Sequence, residues 1–183
     1  MSVGAVSVSP RTAAEPMAFT GAEFRRGATE AWGWYLLSVV VCSVMYGLIA
    51  IPIALLWATP VSLAATLVWA PIAYALGLAL RRTRAIAVHL AAFTLLGGVA
   101  GVVTMLLFLA ATGDIDMANG WLWLYGPFAL TPTLAVPFAW WRTARRALRS
   151  DRGEVPIKRD PDAAAEDASV IRLTERTDEF DAR

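Results

Sequence analysis

From Trp34 to Leu80 the chain contains no Lys, Arg, Asp or Glu, and the same is true from Ala85 to Thr112 and from Asn119 to Trp141. A soluble core has no need of uncharged stretches this long. A bilayer does, because crossing about 30 Å of hydrocarbon takes about 20 consecutive apolar residues in a helix. The fold class expected is therefore an all-α integral membrane protein. It reads as a four-transmembrane-helix bundle, N-in/C-in, with a cytoplasmic interfacial helix and a disordered C-terminal tail.

The spans fall at about 34–57, 61–80, 85–111 and 121–141, making a transmembrane domain of residues 34–141. Ala58-Thr59-Pro60 reads as the turn between the first two, Arg81-Arg82-Thr83-Arg84 as a basic turn, and Thr112–Gly120 as a polar loop carrying Asp114 and Asp116. The third span is long enough to imply tilt or a projecting end.

Orientation follows from arginine. Arg25 and Arg26 precede the first span, Arg81, Arg82 and Arg84 separate the second from the third, and Arg142, Arg145, Arg146, Arg149 and Arg152 follow the fourth. The other two loops carry no basic residue. Basic loops stay in the cytoplasm, and an even number of spans satisfies this everywhere. The expected location is the cell inner (plasma) membrane, multi-pass, with both termini cytoplasmic. Trp32, Trp34, Trp57, Trp121, Trp123, Trp140 and Trp141 stand at expected span ends, where an indole serves as an interfacial anchor. Trp69 lies mid-span and reads as a packing residue.

Outside the spans, residues 1–18 read as a disordered leader without a signal core, so the first span is expected to act as an uncleaved anchor. Residues 19–33 read as an interfacial helix. Thr20 and Glu23 have capping-box spacing and Phe19 and Phe24 can close a hydrophobic staple; Arg26 and Glu30 sit at i,i+4, and Gly27 weakens the helix. Residues 142–152 read as a basic extension of the fourth helix. Residues 153–183 are acidic and poor in large apolar groups, so they read as disordered. Within that tail, Val170-Ile171-Leu173 is the one apolar cluster, with Thr174 and Thr177 as sites where phosphate would add charge.

Net charge is +1, which gives no field for nucleic acid. Cys42 is the only cysteine, so an internal disulfide is excluded. Lys158 is the only lysine among 16 basic residues, a bias that with abundant Ala suggests a bacterial genome rich in GC.

Small residues at four-residue spacing mark expected helix-packing faces: Ala73 with Gly77, and Gly97 with Gly101. The pattern favours packing within the chain; a homo-oligomer is the alternative. Pro127, Pro132 and Pro137 recur at five-residue spacing in the fourth span and free backbone carbonyls that can line a pathway, although a curved packed helix explains them as well. His89, the only histidine, lies near the cytoplasmic boundary and is expected to be hydrated there. Arg142, Arg145, Arg146 and Arg149 share one helical face and suit lipid headgroup contact, so a bilayer with anionic headgroups is one expected partner. Asp114 and Asp116 are too few oxygens for a specific Ca²⁺ site.

Pro71 and Pro132 each precede an arginine cluster by the same interval, an echo too slight to carry a duplication. Enzyme motifs are missing: no H-E-x-x-H, C-x-x-C, G-x-S-x-G or Walker loop occurs, so no catalytic residue, metal or cofactor is expected. The reading is a polytopic membrane protein, non-enzymatic, acting as an adaptor or accessory subunit through a partner on its C-terminal tail. The alternative is a small oligomeric channel or transporter subunit.

Overall fold

The computed structural model describes residues 9–113 and 125–152. It divides into two units, Met1–Ala147 and Leu148–Arg183; the described part of the second is the last turn of a helix and Arg152. The described residues are helical, with no strand: α1 (Gly21–Val44), α2 (Ala50–Leu80), α3 (Ile86–Thr112), α4 (Gly126–Leu130) and α5 (Pro132–Asp151). Asp114, Asp116, Trp121, Trp123 and the tail with its Val170–Leu173 cluster lie outside them.

The start of α1 follows its sequence closely. Thr20 Oγ1 accepts the Glu23 N–H at 3.1 Å and Glu23 Oε2 accepts the Thr20 N–H at 2.9 Å, closing a capping box. Phe19 and Phe24 meet with ring centroids 6.2 Å apart. The interfacial helix and the first span, expected as separate elements, are instead one helix of 24 residues. Nothing between Ala31 and Trp34 breaks the hydrogen-bond ladder.

The first two spans are divided elsewhere than the sequence suggested. The chain reverses at Met45–Ile49, where the Met45, Tyr46 and Gly47 N–H groups bond back to Cys42, Ser43 and Val44. Gly47 takes φ 96°, a left-handed conformation that glycine alone adopts without strain. The expected turn at Ala58-Thr59-Pro60 is helix interior, and α2 runs unbroken through Pro60 for 31 residues. Ser62 Oγ donates to the Thr59 carbonyl at 3.2 Å, and proline is tolerated inside an apolar helix of this kind. The uncharged part of α1, Ala31 to Val44, therefore covers only about 21 Å, whereas α2 is about 46 Å long.

α3 ends on Gly113, whose φ of 77° forms a left-handed cap donating to Leu109 O. The segment expected as the fourth span breaks at Thr131. Pro132 has no N–H for the Phe128 carbonyl, and the Thr131 hydroxyl takes that place at 2.9 Å.

Side chains knit these helices together pairwise. Trp32 Nε1 of α1 donates to Ser62 Oγ of α2 at 3.0 Å. Trp69 Nε1 of α2 donates to Thr104 Oγ1 of α3 at 3.2 Å. Trp34 of α1 meets Phe138 of α5 edge-on at 4.9 Å, and Tyr46 stacks on Phe128 of α4 at 6.3 Å. Among the described residues the buried core includes Val39, Phe93, Leu109, Ala129, Ala135 and Ala139.

α2 and α3 are both long and apolar enough to cross a membrane. Their most apolar stretches are only 6% and 22% buried. A core helix of a soluble protein hides such a surface; here Leu67, Leu95, Leu107 and their neighbours point outward.

Candidate functional site

The charged residues of the first unit gather where the leader, the α2–α3 turn, the start of α1 and the end of α5 lie. Residues 9–18, expected as disordered, run against the α2–α3 turn instead. Arg11 Nη2 lies 2.9 Å from both carboxylate oxygens of Glu23. Glu15 Oε1 sits 3.1 Å from Arg81 Nε and 3.8 Å from Arg82 Nε. Arg84 Nη2 donates to the Ala13 carbonyl at 3.1 Å, and the Met17 N–H to the Arg81 carbonyl at 3.0 Å.

Phe19 anchors this leader. Its ring fills the space over Gly77, where an added Cβ would stand 2.8 Å from the ring, and it meets Tyr74 edge-on at 5.5 Å. Gly77, expected to pack helix on helix with Ala73, thus receives an aromatic ring from the leader. Ala73 is half-buried on the same helix.

A second ionic contact joins α1 to α5. Glu30 accepts from Arg146 Nη1 at 2.8 Å and lies 3.9 Å from Arg142 Nε. Arg142 also stands over the Trp34 ring at 5.6 Å, and Arg145 lies over Trp141 at 4.0 Å. Of the basic face read from the sequence, Arg142 and Arg146 turn partly onto Glu30, while Arg145 and Arg149 are exposed. Just beyond, Gly27 lets α1 approach the Thr143 hydroxyl.

His89 is not hydrated as expected. It is 2% exposed, its Nε2 lies 2.9 Å from the Thr83 carbonyl, and its ring stacks on Trp140 at 4.7 Å and 11°. Because the partner is a carbonyl, Nε2 carries the hydrogen. Nδ1 is buried and without a hydrogen-bond partner. Trp140, which also stacks on Phe93, closes the site that position alone made look open to water.

The glycine pair of α3 meets backbone. A Cβ on Gly97 would collide with the Pro132 carbonyl, and one on Gly101 with the Ala129 carbonyl and the Pro132 ring. These carbonyls flank the break between α4 and α5. They rest on glycine Cα–H groups, a contact that supplies weak C–H···O bonding. Pro137 is buried, while Pro127 and Pro132 are half-buried.

Sequence reasoning missed Glu15, Glu23 and Glu30 as ion-pair partners of Arg11, Arg81, Arg142 and Arg146. The capping spacing gave Glu23 a role in advance, and the i,i+4 spacing set Glu30 beside Arg26, whereas its carboxylate meets Arg146 and Arg142; these contacts join segments far apart in the chain and leave no local signal. Among the described residues no cluster of three or more His, Cys, Asp or Glu could hold a metal. The sequence matches no protein-family model, no curated protein and no solved structure.

Proposed function

We propose that this chain is a multi-pass membrane protein that serves as a non-enzymatic adaptor or accessory subunit. In this reading α2 and α3 are full crossings, and α1 and the segment ending in α5 complete a four-helix transmembrane unit. The α2–α3 turn marks the cytoplasmic face because its arginines are there, and the chain is read as N-in and C-in by the same rule.

One observation carries the reading: large apolar side chains point outward along α2 and α3, while the ion pairs of the leader collect at the α2–α3 turn. Lipid is the solvent that suits the first, and an aqueous leaflet boundary suits the second. α1 fits if Glu30, neutralised by Arg142 and Arg146, sits at the boundary and Met45–Ile49 remains in the far leaflet. The Ala129 and Pro132 carbonyls are engaged with α3, which favours a packed joint over a pathway lining.

The experiment is crosslinking in native membranes, on the full chain and on a version ending at Ser150, with captured proteins identified by mass spectrometry. A partner captured only by the full chain is the expected result. Self-crosslinks alone, unchanged by truncation, refute the adaptor reading and turn attention to flux in reconstituted vesicles.

A further inference from the structure

We propose that the α2–α3 turn is a seat for phosphate-bearing anions, and that the leader's Glu15 occupies it as an internal stand-in. The inference rests on the membrane reading above, which puts this turn at the headgroup layer. Three guanidinium groups, Arg81, Arg82 and Arg84, converge on the leader. Against them the leader offers one carboxylate, Glu15, and one neutral carbonyl, that of Ala13. The turn therefore keeps an excess of positive charge even with the leader in place.

The partners are unequally held. Arg81 is close to Glu15 at 3.1 Å, while Arg82 stands off at 3.8 Å with its side chain 76% exposed. Arg82 is thus the open rim of the seat. Arginine's planar fork matches phosphate oxygens in pairs, and charge-assisted bonds of this kind are stronger than those to a neutral carbonyl. An incoming phosphate meets Arg82 first, then competes with Glu15 for Arg81 and with the Ala13 carbonyl for Arg84.

The leader is built to yield locally. Its hold on the turn is the Glu15 pair, the Ala13 carbonyl and the Met17 N–H. Its anchor is separate, with Phe19 over Gly77 and the Thr20–Glu23 cap. Displacing Glu15 loosens the stretch between Arg11, which stays paired with Glu23, and Phe19, while α1 keeps its start. Occupancy of the seat is in this way converted into loosening of residues 12–18.

The test uses the full chain with Cys42→Ser and Ala14→Cys, carrying a nitroxide on residue 14. It is reconstituted in zwitterionic phosphatidylcholine vesicles and in vesicles with increasing phosphatidylglycerol. The label is expected to be restrained in the first and to gain a mobile component in the second. Arg82→Gln should raise the phosphatidylglycerol needed for release by about fivefold, the effect of one basic residue near an anionic leaflet. Glu15→Gln should give a mobile label without anionic lipid, which shows that the assay detects release.

A response to phosphatidylglycerol alone assigns the seat to lipid headgroups. A response to inorganic phosphate in zwitterionic vesicles assigns it to soluble phosphate; either supports the proposal. If the wild-type label ignores both anions while Glu15→Gln is mobile, the seat does not exist. Flotation and alkaline carbonate extraction of the same vesicles separate the two ideas. A chain stripped by carbonate removes the membrane reading and this inference with it, whereas an embedded chain with an unresponsive leader overturns this inference only.

Discussion

The contact of α3 with the α4–α5 break sets up an internally controlled glycine series. Gly97 and Gly101 each face a backbone carbonyl that cannot swing aside. Gly98, beside them, would place a Cβ 3.3 Å from the Thr133 hydroxyl, a side-chain atom able to rotate. Gly33, in α1, has nothing within 4 Å. Forcing a methyl into a tight core costs about 1–3 kcal/mol. The lost C–H···O contact adds about 0.5–1 kcal/mol, and better helix propensity returns about 1 kcal/mol. Gly97→Ala and Gly101→Ala should therefore each lose about 0.5–3 kcal/mol net, on those same terms. Gly98→Ala should be near neutral, and Gly33→Ala should gain up to about 1 kcal/mol from propensity alone. Unfolding in mixed micelles with increasing SDS, followed by far-ultraviolet circular dichroism, ranks the four. If Gly101→Ala unfolds with Gly33→Ala, α3 does not rest on those carbonyls and the packing described here is wrong.

Two further outcomes follow from the polar contacts. In the same assay, a double-mutant cycle of Glu30→Gln with Arg146→Gln should give a coupling of at most about 1 kcal/mol, because the arginines it involves are 40–44% exposed and screened by solvent. A coupling of zero would mean that the Glu30–Arg146 contact adds nothing to a junction held by Arg142, Trp34, Phe138 and Gly27. His89→Phe keeps the stack on Trp140 but leaves the Thr83 carbonyl without its donor, so it should destabilise by about 1–3 kcal/mol; a neutral result would show that water already serves that carbonyl.

Much of the architecture is written in charge and much of the site is not. Uncharged stretches announce α2 and α3 because hydrocarbon tolerates no charge over that length, and Thr20 with Glu23 announces the start of α1 because capping is a local interaction. The division between α1 and α2 was misread for a physical reason. Proline after Ala-Thr looks like punctuation, yet an apolar helix tolerates it, and α2 runs on through Pro60. The true punctuation was Gly47, the one residue in that stretch able to turn left-handed, and it stood among Met, Tyr, Leu and Ile with no polar neighbour to mark it. The site was less legible still. Glu15 meeting Arg81, Glu30 meeting Arg146, and Trp140 covering His89 each depend on how distant segments pack, and no spacing within a segment encodes them.

If the chain is the membrane protein proposed above, the reversal at Met45–Ile49 has a consequence for how it enters a bilayer. Its tip carries Met45, Leu48 and Ile49 largely exposed and no charged group. A helical hairpin inserting tip-first must carry its turn through the hydrocarbon, and each Asp, Lys or Arg dragged to the centre costs about 2.5–3.5 kcal/mol on the insertion scale. Here that toll is zero from Trp34 to Leu80. On the membrane reading proposed above, α1 and α2 are thereby suited to enter together as one preformed hairpin, leaving Arg25, Arg26, Arg81, Arg82 and Arg84 on the side from which they started.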